Sequence, residues 1–171
     1  MIEQFKGKNV TLGPYAEVGP FAKAGEGSVI HGCLEGEIGK NTKVWRWVHV
    51  MKGAKIGDNC MLGQCSFVAD GAVLGNNVRI QNHTNVSRHV TIEDDVYVGA
   101  GVQFCNAAHP SSKGGDQLDP ITIKRGASIG SNVCIVGKVT IGENAVVGAG
   151  AVVTHDVPAN TKAMGIPARQ K

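Results

Sequence analysis

Large apolar residues recur at every sixth position over most of the chain, with small and polar residues between them. The uninterrupted series consists of Ile38, Val44, Val50, Ile56, Leu62, Val68, Leu74, Ile80, Val86, Ile92, Val98 and Phe104. A small or β-branched residue follows each member four positions later, from Thr42 to Ala108. The same rhythm resumes at Ile123 and continues to Val153. This self-similarity predicts a repeat architecture.

A period of six matches neither a helix, whose period is about 3.6, nor a half-buried strand, whose period is about 2. It fits a short strand followed by a turn, with three such units closing a triangular coil of about 18 residues. Glycine or asparagine after the large residue, as in "IGKN" and "IGDN", suits the corner conformation. Such hexapeptide coils are known as left-handed parallel β-helices, and the handedness is taken from that resemblance. An ordinary β-sandwich is the alternative, and the unbroken phasing argues against it.

The spacing also predicts how the chain is organised. We expect an all-β fold in which residues 1–160 form the β-helix and residues 161–171 form a short C-terminal tail. Phe104 and Ile123 are 19 positions apart where the repeat needs six, so thirteen residues must leave the coil in an excursion loop at about 105–120. Near the N-terminus the same period is expected to slip by two residues within "HGCLEGE".

Composition narrows the functional classes. The 171 residues include 24 glycines and only 5% aromatics, which suits a fold that packs small, repetitive side chains. A net charge of +3, with no basic run, argues against a nucleic-acid partner. No segment resembles a signal peptide or a membrane span. The five cysteines lack CxxC spacing, which favours reduced thiols in a cytoplasmic protein without a membrane partner.

Residues one coil apart should stack on the outer surface, so polar side chains should form columns. The register predicts three outward columns: Arg46, Gln64 and Asn82; Trp47, Cys65 and His83; and His49, Phe67, Asn85 and Gln103. Rigid strands can hold such columns as a preorganised site. A solvated face or a subunit interface is the alternative, and for Trp45 and Trp47 interface packing is favoured.

The chain resembles the hexapeptide-repeat acyltransferases over nearly its whole length. The segments "VWRWVHV", "GDNCMLGQCSFV", "RIQNHTNVS" and "VTIGENAVVGAGAVV", and the tail "DVPANTKAMGIPARQ", resemble the nucleotide-amino-sugar N-acetyltransferases of surface-polysaccharide pathways. "AAHP" and the C-terminal half resemble the galactoside and maltose O-acetyltransferases. The resemblance implies a homotrimer with active sites between subunits and acetyl-CoA as co-substrate.

The resemblance also implies roles for single residues. His109, before Pro110 at the start of the loop, stands at the place of the catalytic base. Asn82 matches an asparagine that contacts the acceptor sugar, and its column neighbours Gln64 and Arg46 are expected to bind substrate as well. His83 is a second candidate for the catalytic histidine because it is adjacent to Asn82. The residues expected to line acetyl-CoA are Ser131, Ala149, Thr154 and Arg169.

The chemistry of acetyl transfer leaves the acceptor atom open. A sugar hydroxyl needs a general base, and histidine, with a reference pKa of about 6.5, is suited to that role. A neutral amine already has a lone pair, so histidine would only position it or accept a proton late. The chain reads "IQNH" where the amino-sugar group has "IQNN", and it also carries His109. We expect acetylation of a nucleotide-linked amino sugar, with O-acetylation of a sugar as the alternative.

Two other classes share the architecture. A γ-class carbonic anhydrase would need three histidines on a metal ion, and His49, His83 and His89 only loosely match its spacing, so we expect no metal. A non-catalytic solenoid is the second rival, and the His-Pro loop and the acetyltransferase-like tail argue against it.

Overall fold

The computed structural model describes Phe5 and residues 9–20, 22–112 and 118–171. Within them the chain forms short strands of two or three residues, arranged in three mostly parallel sheets that we call A, B and C. Except at the C-terminal end, successive strands visit the three sheets in turn, so the chain winds as a three-sided coil. The three-sheet winding and the six-residue phasing confirm the prediction of an all-β left-handed parallel β-helix.

Each sheet stacks strands from successive coils, and the strand labels follow chain order. Sheet A contains β1 (Thr11–Leu12), β4 (Val29–Ile30), β7 (Lys43–Val44), β10 (Met61–Leu62), β13 (Arg79–Ile80), β16 (Tyr97–Val98), β19 (Ser128–Ile129), β22 (Val146–Val147), β24 (Lys162–Met164) and β25 (Arg169–Gln170). Sheet B contains β2 (Glu17–Val18), β5 (Cys33–Leu34), β8 (His49–Val50), β11 (Phe67–Val68), β14 (Asn85–Val86), β17 (Gln103–Cys105), β20 (Cys134–Val136) and β23 (Val152–Val153). Sheet C contains β3 (Lys23–Ala24), β6 (Glu37–Ile38), β9 (Lys55–Ile56), β12 (Val73–Leu74), β15 (Val90–Ile92), β18 (Ile121–Ile123) and β21 (Val139–Ile141).

The apolar series fills the interior of the coil. Every member from Ile38 to Phe104 is at most 5% exposed, and so are those from Ile123 to Val153. The second series is buried as well from Thr42 to Val102, whereas Ala108 is only half-buried because the chain has left the coil after β17. Burying a full-sized aliphatic side chain contributes roughly 1.5–3 kcal/mol, so this ladder is the main source of stability.

The N-terminal irregularity differs from the sequence prediction. Instead of one slip of two residues, the chain makes two shortened steps, because Ile30, Leu34 and Ile38 follow one another at intervals of four and all are buried. The coil from β4 to β7 therefore has 14 residues, as the register Val29↔Lys43 records. The six-residue period does not mark Leu34 as an interior residue, which is why the prediction was wrong at this point. One short coil brings Cys33 directly beneath His49.

The regular winding is interrupted once and closed by an antiparallel pair. Residues 106–120 connect β17 to β18, which still pairs with β15 as the regular coil would require. Residues 113–117 of the predicted excursion loop lie outside the described residues, as do several of the first 21.

At the C-terminus β24 continues sheet A on β22, and β25 turns back antiparallel to β24. No described segment forms a helix with the length and apolarity needed to cross a membrane.

Candidate active site

One edge of the prism gathers most of the residues expected to act on substrate and cofactor. We call it the A/B edge, the stack of turns that lead from sheet A to sheet B. Successive turns are joined by backbone hydrogen bonds, such as His83 N–H to the carbonyl of Gln64 (2.9 Å) and Gly150 N–H to that of Ser131 (2.8 Å). Six of the nine predicted site residues stand here, all exposed or half-buried: Arg46, Gln64, Asn82, His83, Ser131 and Ala149.

The column prediction is confirmed where the strand register covers it. His49, Phe67, Asn85 and Gln103 are consecutive partners on sheet B. The hydrogen bonds from Cys65 N–H to Arg46 and from His83 N–H to Gln64 place the other two columns beside it. Adjacent rungs of a sheet lie about 4.8 Å apart, so Arg46 and Asn82, two rungs apart, are separated by about 10 Å along the edge.

Asn82 has a structural task in addition to any binding role. Its Oδ1 accepts a hydrogen bond from the backbone N–H of Gln64 at 2.9 Å. A side chain added at Gly63, in the turn one coil below, would collide with this same Oδ1. Position 63 therefore requires glycine for steric reasons. No described residue accepts a hydrogen bond from the side-chain amide nitrogen of Asn82. The oxygen therefore supports the turn, and the N–H₂ group remains for a ligand.

The residues next in the turn have an unusual backbone. Trp47, Cys65 and His83 have φ values of 58°, 57° and 60°, in the left-handed region. On the edge between sheets C and A the same conformation is adopted mainly by Asn and Asp, as at Asn59 and Asn77. Glycine, asparagine, aspartate and histidine are enriched in this region, whereas bulky residues such as tryptophan tolerate it poorly. A tryptophan at such a position indicates that its side chain has a role outside the fold, whereas the conformation of His83 is one that histidine adopts more readily.

The lower part of the A/B edge presents aromatic rings and a cation. Trp47 is 69% exposed and Tyr15 is 65% exposed. The guanidinium carbon of Arg46 lies 5.3 Å from the centroid of the Tyr15 ring, within the range of a cation–π contact. Trp45 stacks on His31, with ring centroids 5.7 Å apart. Exposed aromatic surface of this kind is typical of a ligand platform or an interface.

The upper part of the same edge is lined by small side chains. Above Asn82 the turns contain Ala100 and Gly101, then Ser131 and Asn132, then Ala149 and Gly150. With so few long side chains, this part of the edge leaves the backbone accessible. The edge is thus chemically divided between a bulky, aromatic and cationic lower half and a small-residue upper half.

His109 leaves the coil from a different edge. It is exposed and follows β17, at the edge between sheets B and C, whereas His83 stands on the A/B edge. The base of the segment is anchored by Asn106, which is 7% exposed, donates from Nδ2 to the carbonyl of Arg88 and accepts from Asp119 N–H through its own carbonyl. Six residues separate the two corners of one coil, a span of at most about 20 Å. The two candidate histidines are therefore not neighbours in the strand register of one chain.

The remaining two cofactor candidates lie at the C-terminal end. Thr154 is exposed at the turn after β23, where its Oγ1 lies 2.9 Å from Nδ1 of His155. Arg169 on β25 lines a groove with His155, Asp156 and Ala168. Ser131 and Ala149 on the A/B edge are thus on a different side of the chain from Thr154.

Among the cations of the C-terminal half that could contact the coenzyme phosphates, Lys124 and Arg125 are engaged in ion pairs. Lys124 Nζ lies 2.8 Å from Glu93 Oε1, and Arg125 lies 3.3 Å from Asp94. The hydrogen bond from Lys124 is the main cause that lowers the pKa of Glu93, which also accepts from Arg125 N–H at 3.0 Å. Lys138 and Lys162, like Arg169, are exposed and remain candidates.

Two cysteines, Cys60 and Cys134, have raised pKa values and are not activated thiolates. Burial raises the pKa of Cys60 to about 11, and burial together with a contact to Cys105 raises the pKa of Cys134 to about 11. Cys105 Sγ and Cys134 Sγ lie 3.5 Å apart. A nucleophilic cysteine needs a lowered pKa, so Cys60 and Cys134 do not support a covalent acetyl-enzyme.

One cluster of potential metal ligands was not predicted from the sequence. Cys33, Glu35 and His49 have ligand-type atoms that all lie within 4.8 Å of one another, and they form the one such group among the described residues. His83 and His89 do not join His49 there, since they stand on the two edges that flank sheet B. Counting back 18 residues from His49 leads to His31 rather than Cys33, because the period alone does not reveal the short coil.

The comparisons with known proteins identify the family. The profile for the bacterial transferase hexapeptide, in six repeats, matches residues 36–70 and 120–155. The chain belongs to the bacterial transferase hexapeptide family. The bifunctional protein GlmU of Nitratidesulfovibrio vulgaris is 31% identical over 167 residues, which cover 86% of this chain and 36% of GlmU. The chain spans about a third of the length of the GlmU relatives it matches.

Solved structures resemble the chain in fold. The acetyltransferase domain of PglB from Neisseria gonorrhoeae, in complex with acetyl coenzyme A, has a TM-score of 0.54 at 22% identity, covering 95% of this chain and 58% of that one. A mutant of GDP-perosamine N-acetyl transferase from Caulobacter crescentus, in complex with CoA and GDP-perosamine, has a TM-score of 0.52 at 20% identity, covering 96% of this chain and 57% of that one.

Proposed function

We propose that the chain is an acetyl-CoA-dependent acetyltransferase that modifies the amino group of a nucleotide-linked amino sugar. The observation that carries this proposal is the division of the A/B edge into two chemically different halves that meet at Asn82 and His83. Such an edge suits two extended ligands placed end to end. Two proteins that share the fold were solved with ligands of these kinds. The acetyltransferase domain of PglB contains acetyl coenzyme A, and the GDP-perosamine N-acetyl transferase mutant contains CoA and GDP-perosamine.

The lower half suits the nucleotide part of the acceptor. An exposed indole such as that of Trp47 offers a face on which a nucleobase can stack. The guanidinium of Arg46 can form paired hydrogen bonds to a diphosphate. Asn82 stands two rungs, about 10 Å, above Arg46, which leaves room for a diphosphate and a sugar between them. Its free N–H₂ group would then donate to a sugar oxygen.

The upper half suits the acetyl-CoA arm. The pantetheine chain is long, slender and amide-rich, so it needs accessible backbone groups and small neighbours. Ser131, Ala149 and the intervening glycines provide both along two rungs. A backbone N–H in these turns would stabilise the thioester oxygen as it becomes negative. Thr154 and Arg169 would complete the cofactor site from the C-terminal end of a neighbouring chain.

The reaction follows from this alignment. The neutral amine attacks the thioester carbon, the carbon–sulfur bond breaks, and the coenzyme leaves as a thiolate. The proton lost by the nitrogen passes to a histidine and then to the thiolate, so the products are an amide and free coenzyme A. Holding the two reactants in line can lower the activation barrier by about 7–11 kcal/mol. Positioning is therefore the main contribution of the protein to the rate.

A homotrimer would bring the two histidine-bearing edges together. In one chain sheet B separates His83 from the segment that carries His109. In a threefold assembly the loop of one subunit can approach the A/B edge of the next, so that His109 and His83 face one cleft. The exposed aromatic residues Tyr15, Trp45 and Trp47 provide surface for such contacts.

A sugar hydroxyl is the alternative acceptor. The feature that favours it is the exposed His109 beside Pro110, at the place of the base in the O-acetyltransferases. A hydroxyl requires this base, whereas an amine does not.

A substrate screen tests the proposal. The full chain is incubated with acetyl-CoA and a panel of nucleotide-linked 3-amino and 4-amino sugars, with the matching hydroxyl sugars as controls, and thiol release is followed. The proposal expects thiol release and an acetamido product with one of the amino sugars. Release only with hydroxyl sugars would establish the alternative, and absence of coenzyme A binding would overturn both.

A further inference from the structure

The shortened coil creates a cluster that no part of the proposed reaction uses. Cys33 on β5 lies directly beneath His49 on β8, and Glu35 follows at the next turn. All three side chains are half-buried and line one groove with Glu17 and His31. The position is on sheet B, where His49 lies two rungs below Asn85, the first residue of the strand that follows the Asn82 turn.

The geometry is compatible with a metal site. The thiol sulfur, the carboxylate and the imidazole nitrogen all lie within 4.8 Å of one another. His49 Nε2 and Glu35 Oε1 are 3.3 Å apart, within hydrogen-bond and ion-pair distance, and a bound ion would replace this direct contact. Two ligands bonded to tetrahedral zinc at about 2.0–2.1 Å are themselves about 3.3 Å apart, so this pair already has the required spacing.

The surroundings also suit a dication. Glu17 is in register with Cys33, so a second carboxylate stands beside the thiol without a cation among the described ion pairs. The His49 ring packs edge-on against Phe67, with centroids 5.6 Å apart, which fixes the direction of the imidazole. The mixture of thiol, imidazole and carboxylate favours zinc over calcium or magnesium, which prefer oxygen ligands only.

We propose that Cys33, Glu35 and His49 bind one Zn²⁺ ion, with the fourth position open to the groove beside Glu17. The ion would join β5, its following turn and β8, and so tie the 14-residue coil to the regular coils above it. Its role would be structural, because none of its three ligands is among the residues assigned to acetyl transfer, although Tyr15 and Trp47 of the lower A/B edge line the same groove. The proposal is independent of the acetyltransferase assignment.

Cobalt substitution tests the site directly. Untagged protein is stripped with a chelator, titrated with Co²⁺ and followed by absorption, and Zn²⁺ affinity is measured by competition with a chromophoric chelator. We expect one Co²⁺ per chain, a thiolate-to-cobalt charge-transfer band, and displacement by Zn²⁺. Cys33→Ala should abolish the band, and His49→Ala and Glu35→Gln should each weaken Zn²⁺ binding by roughly 10–100-fold or more. Zn²⁺ should also raise the melting temperature of the wild type and leave that of Cys33→Ala unchanged.

Matched controls separate this site from non-specific binding. Cys134→Ala removes a half-buried thiol on sheet B, and His89→Ala removes an exposed imidazole, and both should bind as the wild type does. If Cys33→Ala fails to fold, Cys33→Ser keeps the size of the side chain, and it should lack the charge-transfer band. A wild type without that band, or Zn²⁺ binding that survives both Cys33→Ser and His49→Ala, would overturn the proposal.

Discussion

The side-chain oxygen of Asn82 accepts a hydrogen bond from the backbone N–H of Gln64 one coil below, at 2.9 Å. The same arrangement recurs on the edge between sheets C and A, where Asn76 and Asp94 accept from the residues beneath them at 2.8 Å and 2.7 Å. Asn82 is therefore both a support for its turn and a candidate ligand-binding residue. The two roles use different atoms, so they can be separated by mutation.

Asn82→Asp keeps the accepting oxygen and removes the N–H₂ donor. Because Asp94 makes the same turn contact, we expect a free energy of unfolding within about 0.5 kcal/mol of the wild type. The KM for the acceptor should rise about tenfold while that for acetyl-CoA stays constant, as measured by steady-state thiol release. Asn82→Ala should show the same kinetic change together with a loss of about 1 kcal/mol of stability.

The control for this pair is Asn76→Asp, which makes the equivalent change on an edge without predicted site residues. It should alter neither kinetic constant. A rise in the KM for acetyl-CoA alone in Asn82→Asp would move Asn82 out of the sugar site.

Trp47 should be less favourable for the fold than a smaller residue. Its φ of 58° is strained for a bulky side chain and acceptable for asparagine. Trp47→Asn should therefore leave the free energy of unfolding unchanged or raise it by up to about 1 kcal/mol, as measured by chemical denaturation at the oligomeric state of the wild type. Acceptor binding should weaken because the stacking surface is lost. Unchanged acceptor affinity with loss of the oligomer would assign Trp47 to the interface instead.

The two histidines can be distinguished by different substitutions. His83→Asn suits its φ of 60°, so the variant should fold, and a lower kcat then reports the loss of the imidazole. His109→Ala removes an exposed side chain from a loop and should not affect stability. A general base contributes about 10²–10⁴-fold, so one of the variants should lose at least about a hundredfold in kcat if the acceptor is a hydroxyl. Full turnover in both variants would refute the assignment of a histidine to proton transfer.

Glu93 links the coils on either side of the excursion loop. Its pKa is lowered because it accepts hydrogen bonds from Lys124 and from Arg125 N–H. A depressed folded pKa stabilises the protein above the unfolded value of about 4.3, and the gain is lost as the pH falls through the folded pKa. Since the side chain is 37% exposed and screened by solvent, Glu93→Gln should cost about 1 kcal/mol or less at pH 7.

The pH profile of unfolding tests this account of Glu93. The difference between wild type and Glu93→Gln should be constant from neutral pH down to about 5 and should shrink below about 4. Glu143→Gln, an exposed residue on the same edge without an ion pair among the described residues, is the control. A difference that persists unchanged in acid would contradict the electrostatic origin.

The sequence predicted the fold well because every coil repeats one physical requirement. Each strand must send one large side chain inward, and a six-residue spacing records that directly, as Leu62, Ile80 and Val98 illustrate. The register then located the columns on sheet B and the A/B edge. The short coil at Leu34 escaped notice because a four-residue step breaks the period that the prediction depended on.

The site was predictable only in part. The sequence placed Arg46, Gln64 and Asn82 in one column, since columns follow from the period alone. It could not show that Asn82 Oδ1 is already engaged, or that His109 and His83 begin from different edges, because those facts depend on the path of the turns. The Cys33 cluster was invisible for the same reason, as it exists only where two coils of unequal length meet.

The position of bound coenzyme A decides whether the A/B edge is the active site. A crystal structure of the full chain with coenzyme A and a nucleotide-linked amino sugar should place the pantetheine arm along the A/B edge beside Ser131 and Ala149. The sulfur should lie near His83, and the sugar near Asn82. Coenzyme A bound away from this edge, or an acceptor that does not reach Asn82, would contradict the account.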